Sequence, residues 1–381
     1  MTPTPTVAVV GAGPAALAAA RRLRAESRLK VLLVAPDGVS DYLGGSLPVA
    51  TGDADVSQFR AQVELDGVEV LAASAEAVGT GFVRVGGAEL SVDAVLAAPG
   101  LATEALGMPE AGSDRAMVSF WDLTGAAMAA PVISGFERGV LTVVIATPLY
   151  RCPPAPYGLA IRLARRATRL GLDVRVRLST PEPKPLAAVG TAVTELLVNS
   201  CEEAGVELHF DVLPEPDALA AGHVVDARGA VPSADLWVVV PPHRAHPLLA
   251  DLAGPNHLVP ADGWGRTAAE GVYVAGDALF SPFPRAVAPA AASGVAAAEG
   301  VLVDLGLIDE VKPKLPEPDC FVDQGDGLYS RIQISYPSGP PPVGTPRVVV
   351  SPPESANSIG FDDAVARWRN QALSPDRDCP V

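Results

Sequence analysis

Gly11, Gly13 and Ala16 stand in the spacing G-x-G-x-x-A, directly after the apolar run Val7 to Val10 and at the head of an alanine-rich helix. Each small residue has a physical task there. The first permits a tight strand-to-helix turn, the second removes the side chain that would hold a pyrophosphate off the backbone, and the third lets helix and strand pack closely. With Pro14 and Ala15 opening the helix, its free N–H groups and positive dipole end face the place a dinucleotide phosphate would occupy. Asp277 is a second candidate. It follows Gly276 at the close of the run Gly271 to Ala278 and precedes another helix, where a carboxylate can bind the ribityl and pyrophosphate part of a flavin dinucleotide. The third candidate is a thiol: Cys152, in the run Thr147 to Tyr157, TPLYRCPPAPY, whose anion would be a nucleophile toward sulfur.

Other reactive side chains are scattered. Cys320 lies in Asp319-Cys320-Phe321, Cys201 falls on the helical stretch Val189 to Ala204 and reads as structural, and Cys379 reads as a free thiol in a tail. His243, after Val240-Pro241-Pro242, is either a proton carrier or a histidine that closes a Pro-Pro turn. Arg151 either favours the anion of Cys152 or faces solvent, and Tyr157 and Trp121 read as packing residues. The five histidines and the cysteines show no zinc-ligand spacing, so no metal site is expected.

The elements that must carry these residues follow from the apolar pattern. A second strand, Lys30 to Val34, follows the first helix as a βαβ unit requires. The acid that ordinarily ends such a strand and binds the ribose is replaced by Ala35; Asp37, after Pro36, is either its substitute or an ordinary turn aspartate. Ser40 to Gly52 is a glycine-rich loop containing Tyr42 and Gly44-Gly45, and Val68 to Leu71 and Phe82 to Val85 are short strands around a turn. Asp93 to Gly100 is a buried strand closing in Pro99-Gly100. A second α/β unit follows: strand Val140 to Ala146, helix Tyr157 to Leu170, strand Asp173 to Leu178, helix Val189 to Ala204 and strand Val206 to Phe210. Its first junction carries prolines in place of glycines, and prolines lack the N–H donors that cradle phosphate, so this lobe is not expected to bind NAD(P)H. Strand Asp235 to Val240 and helix Ala286 to Leu305 return to the first lobe. Beyond Val311 stand a hairpin-like Leu328 to Tyr336, strand Arg347 to Val350 and helix Phe361 to Ala372. The fold class is thus α/β: two Rossmann-like dinucleotide-binding lobes, one from 1–112 and 232–310 and the other from 113–231, with a small α+β region at 311–381.

The chain of 381 residues carries a net charge of -16, which argues against nucleic acid, whose phosphates demand a basic surface. The first strand begins within six residues of Met1 and leaves no room for a secretory signal, so a cytoplasmic location is expected. No apolar run reaches the roughly 18 residues a spanning helix needs, and Ala286 to Ala298 is the longest. Contact with a membrane would be peripheral at most, and a homodimer is compatible with the sequence.

These motifs, in this order, resemble the sulfide:quinone oxidoreductase and flavocytochrome c sulfide dehydrogenase group, relatives of the two-dinucleotide-domain disulfide reductases. The specific signals are Tyr150-Arg151-Cys152-Pro153-Pro154-Ala155-Pro156-Tyr157 and a second cysteine, Cys320, after the last helix of the first lobe; Val240-Pro241-Pro242-His243 and Gly276-Asp277 add to them. The resemblance implies FAD on Gly11, Gly13, Pro14, Ala15, Ala16, Asp37, Gly100, Gly276 and Asp277. It also implies that Cys152 and Cys320 form a redox-active pair against the flavin, oxidising sulfide or a small thiol and passing electrons to a quinone, a cytochrome or a partner protein. This chain differs from the group at Ala35, at Pro99 in the place of the threonine of an Ala-Thr-Gly strand end, and in having no third cysteine upstream of Cys152. Two alternatives stand beside that expectation: a non-catalytic subunit of the same fold that binds FAD poorly, and a biosynthetic flavoprotein that carries sulfur on Cys152.

Overall fold

The computed structural model describes residues 4–104, 106, 116–221, 223–226 and 233–373. In chain order the elements that matter to the site are β1 (Thr6–Val10), α1 (Pro14–Arg24), β2 (Lys30–Ala35), α2 (Ser46–Ala50), β3 (Val68–Ala72) and β4 (Ala94–Ala97). There follow β5 (Ala116–Val118), α3 (Leu123–Ser134), β6 (Arg138–Ile145), α4 (Ala155–Leu170), β7 (Asp173–Ser179), α5 (Thr191–Ala204), β8 (Glu207–His209) and β9 (Leu236–Val240). The last are β10 (Val272–Val274), α6 (Val287–Asp304), β11 (Asp319–Asp323), β12 (Tyr329–Ser335), β13 (Arg347–Glu354) and α7 (Ala356–Leu373).

Two five-stranded parallel sheets carry the two lobes, in the orders β10-β4-β1-β2-β3 and β5-β9-β6-β7-β8. Their inner strands are nearly unbroken apolar runs because both faces are covered; in the first sheet α1 and α6 pack on one face and the antiparallel sheet containing Phe82–Val85 on the other. The strand pairing corrects the division of the chain. The sequence places the return to the first lobe at residue 232, but β9 pairs with β6 from Leu141 opposite Leu236 to Ile145 opposite Val240, in the second sheet. The run LWVVV fits the interior of either sheet and carries no local mark of its neighbours. The chain crosses back only after it, where His243–Ala245 forms an antiparallel ribbon with Leu101–Thr103. Likewise β3 is the edge of the first sheet, whereas Phe82–Val85 is the middle strand of a separate three-stranded antiparallel sheet.

Helix α6 runs past Ala298 to Asp304, longer than the apolar segment read from sequence. At 18 residues and a mean hydropathy of 1.3 it is long and apolar enough, by length and composition, to cross a membrane. In this fold it lies in the core of the first lobe against α1. A Cβ on Gly294 would stand 2.1 Å from the Ala15 carbonyl oxygen, so the two helices touch backbone to backbone. The C-terminal region is a three-stranded antiparallel sheet, β11-β12-β13, plus α7, which packs on α1 rather than projecting from the molecule. Cys379, and the lobe boundaries at 112/113 and 231/232, lie outside the described residues.

Candidate active site between the two lobes

The dinucleotide end of the site is built by backbone. Gly11 has φ 116, and a Cβ there would lie 2.3 Å from the Ala98 carbonyl oxygen; only glycine fits. Its N–H donates to the Val34 carbonyl at 2.8 Å, locking the turn to β2. Gly13 caps α1 with no side chain bonded to the first-turn N–H groups, and nothing lies within 4 Å of where its Cβ would be. Those donors therefore face open space beside Pro14, Ala15 and Ala16. Gly276, at φ 77, donates its N–H to Ser293 Oγ at 2.9 Å and packs so close to Ala15 that a Cβ would stand 3.1 Å from that methyl. That contact sets Asp277 beside the head of α1. Gly100, at φ 77, lies beyond the end of β4 with open space around it. Asp37 is exposed in the turn after β2, at φ 53, while Ala35 is fully buried.

The thiol end is built by side chains and one absent side chain. Cys152 has φ 49, an unusual conformation for a residue with a Cβ, and is pinned on both sides. Its N–H donates to the Arg285 carbonyl at 2.8 Å, and its own carbonyl accepts from the Ala155 N–H at 2.9 Å. Helix α4 starts there and lies flat on β11 because Gly158 has no side chain: a Cβ would meet the Asp323 carbonyl oxygen at 3.1 Å and its nitrogen at 3.2 Å. Arg162 tightens the contact by pairing with Asp323 and, at 2.7 Å, with Asp53. The result brings Cys320, on β11, within electrostatic reach of Cys152 at the head of α4. Both are free thiols; Cys152 opens to solvent and Cys320 is half-buried.

Electrostatics rank these groups. Cys152 is pushed up to about 11 by the protein packed around it, with Arg151 pulling the other way and Asp277 adding to the rise. The favourable effect of Arg151 is therefore present, but the protein crowded around the sulfur outweighs it, even though the residue keeps an opening to solvent. Cys320 is pushed up to about 12 by burial and then by Cys152. Asp277 is also raised by burial, against the pull of Arg151 and Arg285. Arg151, Cys152, Asp277 and Arg285 are thus coupled where the two lobes meet, and Cys320 joins them through Cys152. Cys201 is buried on α5, apart from this group, and burial lifts its pKa to about 12.

His243 closes its Pro-Pro turn: Nδ1 donates to the Pro241 carbonyl at 2.7 Å, which leaves Nε2 as the acceptor, buried and without a partner among the described residues. Burial, then Arg151 and Arg285, hold its pKa down at about 3, so the ring stays neutral at physiological pH. It meets Trp121 edge to face at 5.7 Å, and the Trp121 carbonyl takes the Arg151 guanidinium. Tyr150 and Tyr157 both donate to Glu182, at 3.2 and 2.6 Å, and pack beneath the cysteine loop. Sequence reasoning passed over Arg285 and gave Tyr42 no role. Arg285 is anchored to the Asp277 carbonyl at 3.3 Å, and buried Tyr42 senses the charges of Cys152 and Cys320. Neither has a local signature, because each acts on residues far away in sequence.

Solved structures share this fold of two parallel α/β lobes with a small third region. The sulfide:quinone oxidoreductase of the hyperthermophilic bacterium Aquifex aeolicus superposes with a TM-score of 0.80 at 17% identity, over 98% of this chain and 93% of that one. Reduced CoADR-RHD of Bacillus anthracis gives 0.64 at 13% identity over 97% and 75% of the two chains. The water-forming NADH oxidase of Lactobacillus brevis, bound to NADH, gives 0.62 at 16% over 91% and 83%. No protein-family model matches the sequence, and no curated protein sequence does.

Proposed function

We propose that this chain is an FAD-dependent oxidoreductase that oxidises sulfide or a small thiol through Cys152 and Cys320. One observation carries the reading: Cys152 stands at the strand-to-helix step of the second lobe, turned toward Asp277 of the first lobe and within electrostatic reach of Cys320. The residues present fit a flavin dinucleotide. Open N–H groups at Ala15 and Ala16 suit its pyrophosphate, Gly13 leaves it room, and the Asp277 carboxylate would accept from ribityl hydroxyls. At the second lobe the corresponding cradle is missing. Pro154 and Pro156 have no N–H, and that of Ala155 is spent on Cys152, so a nicotinamide dinucleotide is not the electron source.

With both thiols displaced upward, protein thiolates are scarce at neutral pH, and the anion of the substrate is the better nucleophile. Hydrosulfide attacks an oxidised Cys152–Cys320 pair at Cys320. A new S–S bond forms there, the bond between the cysteines breaks, and its electron pair leaves on Cys152 as a thiolate. Cys152 is the leaving group because Arg151 beside it favours its anion. A second hydrosulfide removes the outer sulfur of the Cys320 persulfide as hydrogen disulfide and leaves Cys320 a thiolate; FAD, when bound, would supply the two-electron acceptor that closes the two thiolates to a disulfide again. A quinone suits the next step: Phe283 and Tyr336 meet edge to face at 4.9 Å beside Cys320, and Phe280 is 58% exposed, so a flat apolar acceptor would find an aromatic wall. The test is an absorption spectrum of the purified chain. About one flavin per chain, bleached by sulfide without air and no longer bleached in Cys152→Ser, is the expected result; flavin indifferent to sulfide would overturn the reading.

A further inference from the structure

Helix α7 reaches both ends of the site without adding a reactive group to either. Trp368, 2% exposed, donates from Nε1 to Ser40 Oγ at 2.9 Å, and Ser40, 1% exposed, donates to the Ala12 carbonyl at 2.6 Å. Ala12 lies between the two glycines of the phosphate turn, so an indole N–H fixes that turn through a single hydroxyl. The same half of α7 is fastened three more times to the first lobe. Arg21 of α1 donates to the carbonyls of Asn370 and Gln371 at 2.6 and 3.0 Å, the Glu64 N–H to Ala372 at 2.9 Å, and Arg369 to Gln58 at 2.7 Å.

The other half of α7 holds the strand pair that carries Cys320. Asn357 donates to the Tyr329 carbonyl at 2.9 Å, and Phe361 stacks on Tyr329 at 5.6 Å. Gly360 makes way for the ring of Phe321, the residue after Cys320; a Cβ there would lie 2.6 Å from that ring. Between the two halves sits Tyr42, 5.6 Å from Trp368 and 6.2 Å from Phe361.

We infer that α7 is a strut that couples the dinucleotide turn to the strand bearing Cys320, with Trp368 and Ser40 as positioning residues. This rests on the reading that FAD occupies the turn at Gly11 and Gly13. A buried chain of two hydrogen bonds transmits position because each partner, left unpaired, would cost more than the bond contributes. Coupling of this kind is reciprocal: whatever loosens α7 at Trp368 weakens flavin binding and also frees Cys320.

The experiment uses the full chain, stripped of flavin and reconstituted with FAD well below the unfolding temperature, as wild type, Ser40→Ala, Trp368→Phe and Ile359→Ser. Ile359 is on the same helix but 62% exposed. Loss of the relay is expected to weaken FAD binding about five- to tenfold in Ser40→Ala and Trp368→Phe, with Ile359→Ser unchanged. With FAD saturating and both the flavin and the cysteine pair reduced without air, iodoacetamide should label Cys320 about fivefold faster in those two variants than in wild type, while Cys152 labels at the wild-type rate. A purely structural role would lower the unfolding temperature and leave both readouts still. Wild-type FAD affinity in both relay variants overturns the strut and leaves the flavin reading standing; weaker FAD with an unmoved Cys320 rate also overturns it. A wild-type chain that never takes up FAD overturns both.

Discussion

The first lobe passes from β1 to α1, and the second from β6 to α4, by the same kind of step in the same kind of parallel sheet. In the first, glycines strip the turn of side chains, no side chain caps the helix, and the backbone itself becomes the binding surface. In the second, prolines remove the donors, the one N–H at Ala155 closes on the Cys152 carbonyl, and the turn delivers a side chain instead. One architecture can present either main-chain dipoles or a reactive atom at the sheet's carboxyl edge, and the residue types at the turn decide which.

The largest expected effect of breaking this contrast is at Gly11. Gly11→Val must find room where a Cβ already stands 2.3 Å from the Ala98 oxygen, at a φ that β-branched residues avoid. Destabilisation of about 3 kcal/mol or more, with no retained flavin, should appear in denaturant unfolding and in the visible spectrum. Gly13→Ala sharpens the point: with open space around it, unfolding should shift by less than about 0.5 kcal/mol while FAD affinity falls.

At the second turn, Cys152→Ser should keep its flavin and lose about a hundredfold or more of the sulfide-driven bleaching rate in stopped flow. Alkylation of Cys152 should rise about tenfold per pH unit between pH 7 and 10, levelling only near the thiol pKa of about 11. Arg151→Gln should slow it at any pH below that plateau, because a favourable charge is removed. His243 gives an acid-side test. Its ordinary 6.5 falls to about 3 in the fold, so its contribution is fully present above pH 6.5 and is lost as pH drops toward 3. That loss is a few kcal/mol, and His243→Phe should flatten the pH dependence of stability in this window. The smallest effect is expected at Asp37. As it is exposed, Asp37→Asn should change FAD affinity by less than about threefold, the size of a solvent-screened contact; a tenfold loss would show that it grips the ribose in place of Ala35.

What sequence made legible was whatever acts through local backbone chemistry. Glycines at 11 and 13 and prolines at 153, 154 and 156 announce their turns because φ freedom and missing N–H groups are properties of single residues. The sheet to which β9 belongs was illegible, since a buried parallel strand reads the same beside any neighbour. The reach of α6 was legible: the helix read over Ala286 to Leu305 spans Val287–Asp304, and Glu299 and Asp304 broke the apolar run without ending it. The approach of Cys320 to Cys152 depends on Gly158 meeting Asp323, and the relay from Trp368 to Ala12 on partners at opposite ends of the chain. No local pattern encodes either contact.

Gly158 has a consequence for how such a molecule can change. A methyl at that position would press on the Asp323 backbone and move β11 outward by a few tenths of an ångström. Covalent bonds between two sulfurs tolerate only a narrow span of backbone separation. The proposed sulfur bridge between Cys152 and Cys320 would therefore depend on a hydrogen atom on a helix, at a position with no part in the chemistry.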